Sequence, residues 1–125
     1  MKGHVLASLQ LAGEGRVAWC ALDQDTLRRY GVQVADLDGF AGLGTEVGGV
    51  LVSVLCVALP NGQVKVSLRS AGDVAVNGLA AEWGGGGHPS AAGATLKGEL
   101  SQVTACVVAK VEELLSDSPK ERAGA

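Results

Sequence analysis

The turn Pro60-Asn61-Gly62, set between two valine-rich runs, constrains the fold of this chain more than any other feature. Asn-Gly supplies the left-handed backbone that a tight hairpin needs. The preceding run, Gly49–Leu59, is apolar on both faces and reads as a buried strand. The following run, Gln63–Ser70, alternates: Val64, Val66 and Leu68 face one way, and Lys65, Ser67 and Arg69 the other. A central antiparallel pair with one polar face is therefore expected. The remaining elements must pack on it or extend it.

The chain has 125 residues, of which 47% are hydrophobic, enough for one domain with a real core. Only 3% are aromatic, so that core is expected to be built from Val, Leu and Ala. A formal net charge of −3 gives no basic footprint for long duplex DNA or RNA. Any nucleic-acid contact must be local. Cys20, Cys56 and Cys106 are widely spaced and match no zinc pattern. They read as three buried thiols in a reducing compartment, against the alternative of a disulfide or a metal. The longest apolar run, Val50–Leu59, is too short to span a bilayer, and no signal peptide is visible. No membrane partner is expected, and the cytoplasm is the default.

Along the chain, Val5–Leu11 reads as a strand or a helix end, and Glu14-Gly15 as a turn leading to a second strand over 16–22. Asp23 is a candidate N-cap for a helix over Gln24–Tyr30, with Gly31 as its stop. Gly39–Gly49 reads as a shaped loop. Val76–Trp83 reads as a short helix capped by Asp73 or Asn77. Ala91–Leu96 suits a strand of small residues. Leu100, Val103, Val107, Val111 and Leu114 mark the apolar stripe of a helix over Leu100–Ser116, with Ser101 near enough to help cap it. A single domain over 1–116 is expected, with a disordered polar tail over 117–125. The class is α/β, α+β-like, with a mixed sheet flanked by helices.

Between the short helix and the small-residue strand lies WGGGGHPSAAGAT, Trp83–Thr95. Ordering each glycine costs backbone entropy, roughly 0.5–1 kcal/mol relative to alanine in regular structure. Bare backbone lets N–H groups converge on an anion, and His88 adds a donor beside it. The plain alternative is a flexible glycine turn with an incidental histidine. The stretch is neither a P-loop nor a good dinucleotide fingerprint.

GGGGHPSAAGA, Gly84–Ala94, resembles the signature of the DHHA1 domain, the C-terminal domain of DHH-family phosphoesterases. Val66–His88, VSLRSAGDVAVNGLAAEWGGGGH, is similar to the branch of nanoRNases and 3′,5′-adenosine bisphosphate (pAp) phosphatases. That branch shows an S-x-R-S strand, a V-N-x-x-A helix, GGGGH and AAG, in this order. GTEVGG, Gly44–Gly49, matches the family's D-T-E-G-like segment only approximately, and Val57-Ala58-Leu59 lacks the Arg-Glu common before the turn.

The resemblance implies a substrate-binding domain. Hydrolysis in this family belongs to an N-terminal DHH domain that holds two divalent metals, usually Mn2+. The present residues contain no Asp-His-His and only two histidines, His4 and His88. No catalytic residue, metal site or cofactor is therefore expected here, and the isolated chain is expected to be inactive. The implied partners are the DHH domain and short single-stranded oligonucleotides or pAp-like nucleotides, with a homodimer left open. The implied substrate contacts are Ser67, Arg69, Ser70, Asn77, Gly85, Gly86, Gly87 and His88. On the residues alone, Arg69 reads first as an arginine on a solvated strand face and Trp83 as a core residue, while Asn77 reads as either a helix cap or a ligand contact. Lys65 and Lys97 read as solvated. Two other readings compete with the resemblance. One is a stand-alone nucleotide-binding regulatory module. The other is a structural or oligomerisation domain that uses the stripe of the last helix.

Overall fold

The computed structural model describes residues 1–116; the tail expected over 117–125 lies outside the described residues. A six-stranded mixed sheet runs through the molecule in the order β1-β2-β3-β4-β6-β5. The strands are β1 Gln10–Ala12, β2 Val17–Leu22, β3 Val52–Ala58, β4 Gln63–Ser70, β5 Gly86–His88 and β6 Ala91–Lys97. Only β2 and β3 pair in parallel; the other neighbours are antiparallel. The helices are α1 Lys2–Ser8, α2 Gln24–Tyr30, α3 Asn77–Glu82 and α4 Leu100–Ser116.

Two apolar layers sandwich the sheet. On one face, Val52, Val54 and Cys56 of β3 and Val64, Val66 and Leu68 of β4 pack against Leu79 and Ala80 of α3 and Val103, Val107, Val111 and Leu115 of α4. The stripe of the last helix is thus spent on this core and is not a free face. On the other face, Cys20, Leu22, Leu55 and Val57 pack against Val5 of α1, Leu27 of α2 and the segment around Leu37, Ala41 and Leu43. This second layer takes no residue from β4, β5 or β6. The sheet's last three strands therefore keep one face free of an apolar cover, and that is where the polar residues of β4 stand.

Local signals hold where one residue decides the geometry. Asp23 accepts from the Thr26 amide at 2.8 Å, and Gly31 ends α2 in the left-handed region. Elsewhere the structure corrects the sequence reading. Val5–Leu11 divides into the end of α1 and the start of β1. Gly39–Gly49 is not simply irregular: 3-10 turns span Val34–Phe40 and Leu43–Glu46. The N-cap of α3 is Val76, with no side-chain bond, so neither Asp73 nor Asn77 caps it. Glu99, not Ser101, caps α4, accepting from the Ser101 and Gln102 amides at 3.1 Å each. Cys20 and Cys56 are buried, but Cys106 is exposed, because it falls on the outer side of α4 between Val103 and Val107.

Candidate functional site: a polar row on the open half of the sheet

Register brings the candidate residues together. Across β3, β4, β6 and β5, one row reads Ser53, Arg69, Ala91 and His88. The adjacent row reads Leu55, Ser67, Gly93 and Gly86. Cross-strand partners share a face, so Arg69, Ser67 and His88 stand on one side, opposite Leu68 and the α4 core. Two strand spacings put the Arg69 and His88 backbones about 10 Å apart across the sheet. Only the small Ala91 lies between them.

The donors here are largely unspent. Arg69 is half-buried and donates from one Nη to the Leu68 carbonyl at 3.0 Å. Among the described residues no carboxylate pairs with it. A guanidinium carries five N–H donors in a fork suited to phosphate. Ser67 is only 6% exposed, yet no hydrogen bond to its hydroxyl is found among the described residues. Among the described residues the fully buried hydroxyl without a partner is that of Thr104, so Ser67 Oγ keeps some exposure and can be reached by a ligand oxygen. His88 is exposed, and no hydrogen bond to its ring is found among the described residues. Lys65, expected to be solvated, is half-buried and pairs with Asp38 at 3.0 Å, because the Val34–Phe40 turn reaches over this end of β4.

The glycine run is not the loop that its composition suggested. Gly84 follows α3 with φ +83, and the Gly84 and Gly85 amides bond to the Ala81 and Ala80 carbonyls at 3.1 and 2.9 Å. This pattern closes a helix C-terminus. Two of the N–H groups expected to converge on an anion are therefore consumed inside the fold. Gly86–His88 then forms the edge strand β5 against β6. A Cβ at Gly85 would stand 2.0 Å from the Gly93 carbonyl oxygen, and one at Gly87 2.6 Å from that of Ala91. Both positions are glycine because β6 is too close for anything larger. Gly86 differs: a Cβ there meets nothing within 4 Å, and its φ is not left-handed. It is the glycine of this run for which the fold supplies no reason.

His88 is firmly placed. The turn after it, Pro89-Ser90, is tied at both carbonyls: Val76 N–H donates to Pro89 at 2.8 Å, and Ser70 N–H to Ser90 at 2.9 Å. The first of these bonds also brings the start of α3 to the His88 end of the hairpin, with Asn77 at its first helical position. The Asn77 side chain is half-buried and makes no cap. Ser70 is not brought into the row. It pairs in register with Val52, on the α4 side, and its hydroxyl closes a local turn with Gly72 at 3.3 Å. Trp83 is half-buried against the α4 core, and His4 bonds Tyr30 at 3.2 Å, far along the chain from this row.

Sequence reasoning missed Ser53 and the turn over 41–44, which border Arg69. The signal was a serine alone in an apolar strand. A cavity of about 650 Å³ lies on the opposite face of the sheet, between β2 and α4, lined by Trp19, Leu100, Thr104 and Val108. It contains neither arginine nor histidine and is separate from the polar row. Among the described residues no group of three His, Cys, Asp or Glu could hold a metal ion, and no helix is long and apolar enough to cross a membrane.

The chain is 39% identical over 117 residues to the bifunctional oligoribonuclease and PAP phosphatase NrnA of Thermus thermophilus, covering 93% of this chain and 34% of that protein. It is 31% identical over 96 residues to the NrnA of Bacillus subtilis, covering 77% of this chain and 30% of that protein. The chain thus spans about a third of the length of these curated relatives. The crystal structure of an exopolyphosphatase-related protein from Bacteroides fragilis superposes with a TM-score of 0.80 at 27% identity, covering 93% of this chain and 35% of that one. The family model of the DHHA1 domain matches residues 16–117, and together with the identity to the two NrnA proteins this shows that the chain belongs to the DHHA1 domain family of DHH phosphoesterases.

Proposed function

We propose that this domain holds the phosphate and sugar of very short single-stranded oligonucleotides, or of pAp, for hydrolysis by a DHH domain. The observation that carries this reading is the row of Arg69 and His88, with Ser67 beside it, on an open face with their donors unspent. Arg69 forks onto a phosphate. Ser67 donates its hydroxyl to the same group. Gly86 gives the nucleotide close access to the β5 backbone, and Asn77 lines the His88 end. His88 holds the phosphate that is to be cleaved and stabilises its developing charge. Two divalent metals, Mn2+ by preference, belong to the DHH domain and supply the hydrolytic chemistry there; these residues offer no site for them. The names of the two NrnA relatives support this substrate class. The net charge of −3 agrees with a short substrate enclosed between domains and not with a long electropositive groove. The setting we propose is the cytoplasm.

The test is an NMR titration of the chain with pAp and with an RNA dinucleotide, following the amides of Gly84–His88 and Arg69. Weak binding with shifts confined to these residues is expected. No shifts there at millimolar ligand would overturn the reading. Tight binding would move it towards a stand-alone nucleotide sensor.

A further inference from the structure

We propose that Ser53 is a positioning residue that sets the wall of the Arg69 site. The inference rests on the phosphate-holding reading above for its ligand, but not for its geometry. Ser53 lies in β3 within the run VSVLCVA and is 2% exposed. A hydroxyl buried in an apolar strand is costly unless it is bonded. This one donates to the Ala41 carbonyl at 2.8 Å. Ala41 follows the Val34–Phe40 turn and leads through Gly42 into the Leu43–Glu46 turn.

A second contact presses the same segment onto the sheet. A Cβ at Gly44 would stand 2.5 Å from Ser53 Oγ and 2.8 Å from Ala18 Cβ, so only glycine allows so close an approach. Ala18, Ser53 and Arg69 are consecutive members of one cross-strand row. The segment therefore sits flat over Ala18 and Ser53 and stops at Arg69. There it presents Gly42, where a Cβ would lie 3.8 Å from Arg69 Cγ. Arg69 thus has a packed wall on its β3 side and only Ala91 on the other. The wall denies its stem the space over β3 and leaves it the side on which His88 stands. Ser53 touches no ligand. It acts by holding the wall that gives Arg69 its direction.

The experiment uses the 125-residue chain, with Ser53→Ala beside Val107→Ala as a control for stability, since Val107 is fully buried on the opposite face. Two readouts are taken: the nuclear Overhauser contact between Gly42 Hα and Arg69 Hγ without ligand, and the Kd for pAp. Ser53→Ala is expected to lose the contact and to weaken pAp about tenfold. Val107→Ala is expected to keep the contact and to bind within about twofold of the wild type. An unchanged contact in Ser53→Ala, or an equal loss of affinity in Val107→Ala, overturns the proposal. If the wild type does not bind pAp, the functional reading fails, while the ligand-free contact still decides the role of Ser53. If Ser53→Ala does not fold, Gly42→Ala takes its place: the new methyl group should contact Arg69 Hγ and change the Kd at least threefold, and absence of both effects overturns the proposal.

Discussion

The two faces of β4 are made by the same eight residues and have different fates. Val64, Val66 and Leu68 are each 0% exposed, sealed beneath α4. On the other side Lys65 and Arg69 are half-buried, Ser67 is buried, and the apolar layer that covers β2 and β3 does not extend over them. Apolar side chains there, covered by a longer turn, would each stabilise the domain by about 1.5–3 kcal/mol. The chain instead keeps an arginine that no carboxylate among the described residues engages, and a serine whose hydroxyl makes no hydrogen bond among them. One face of the strand serves the fold. On the other, Lys65 ties down a turn, while Ser67 and most of the Arg69 donors are left free of partners among the described residues.

The glycine run divides in the same way, and this allows the sharpest attempt to break the comparison. Gly85→Ala pushes a Cβ into the Gly93 carbonyl, an overlap that neither backbone can relieve alone. A loss of about 3 kcal/mol is expected, read as a lower midpoint in urea unfolding. Gly86→Ala meets open space and should unfold within about 0.5 kcal/mol of the wild type. It should nevertheless weaken pAp binding about tenfold. Equal destabilisation by the two variants would show that the whole run is structural.

The next contrast lies along the polar face of β4. Arg69→Ala removes a fork that no carboxylate among the described residues engages. Binding of pAp should weaken about 10- to 100-fold, the range expected for hydrogen bonds to a charged group, with little change in unfolding. Lys65→Ala removes the exposed pair with Asp38, a contact of at most about 1 kcal/mol, and should leave the affinity within about twofold. If Lys65→Ala weakens binding as much as Arg69→Ala, the face acts through general charge and the row has no special role.

Most of this was legible where a single residue decides local geometry. Asp23, Gly31, the Asn-Gly turn and the α4 stripe fixed their elements because each acts within a few positions. The alternation of β4 correctly placed Ser67 and Arg69 opposite the core. What could not be read was distance between strands. Nothing in GGGGH tells that β6 approaches to within a collision of a Cβ, so an edge strand looked like a loop. Likewise Ser53 looks like any strand serine until the 41–44 segment, remote in sequence, folds onto it. The part of the site that depends on pairing register was invisible. The part that depends on residue chemistry was not.

The last contrast separates the cysteines, and it tests the buried layers without touching the polar row. Burial pushes the Cys20 and Cys56 thiols up to about 11, from an ordinary value of 9.0. The thiolate is the reactive form, so at pH 8 both should resist a thiol reagent in the folded protein while the exposed Cys106 reacts. One fast equivalent is expected, and three after unfolding. The same shift sets the sign of the pH dependence. Between pH 9 and 11 the unfolded chain loses thiol protons that the folded chain keeps, so unfolding is progressively favoured as pH rises. Below pH 9 both states are protonated and these groups contribute no slope. Urea midpoints should therefore fall from pH 9 to pH 11, and replacing both buried cysteines by alanine should flatten that part of the fall. A slope unchanged by the double replacement would mean that the layers around Cys20 and Cys56 admit water. The contrast between a sealed and an open face of the sheet would then be one of degree.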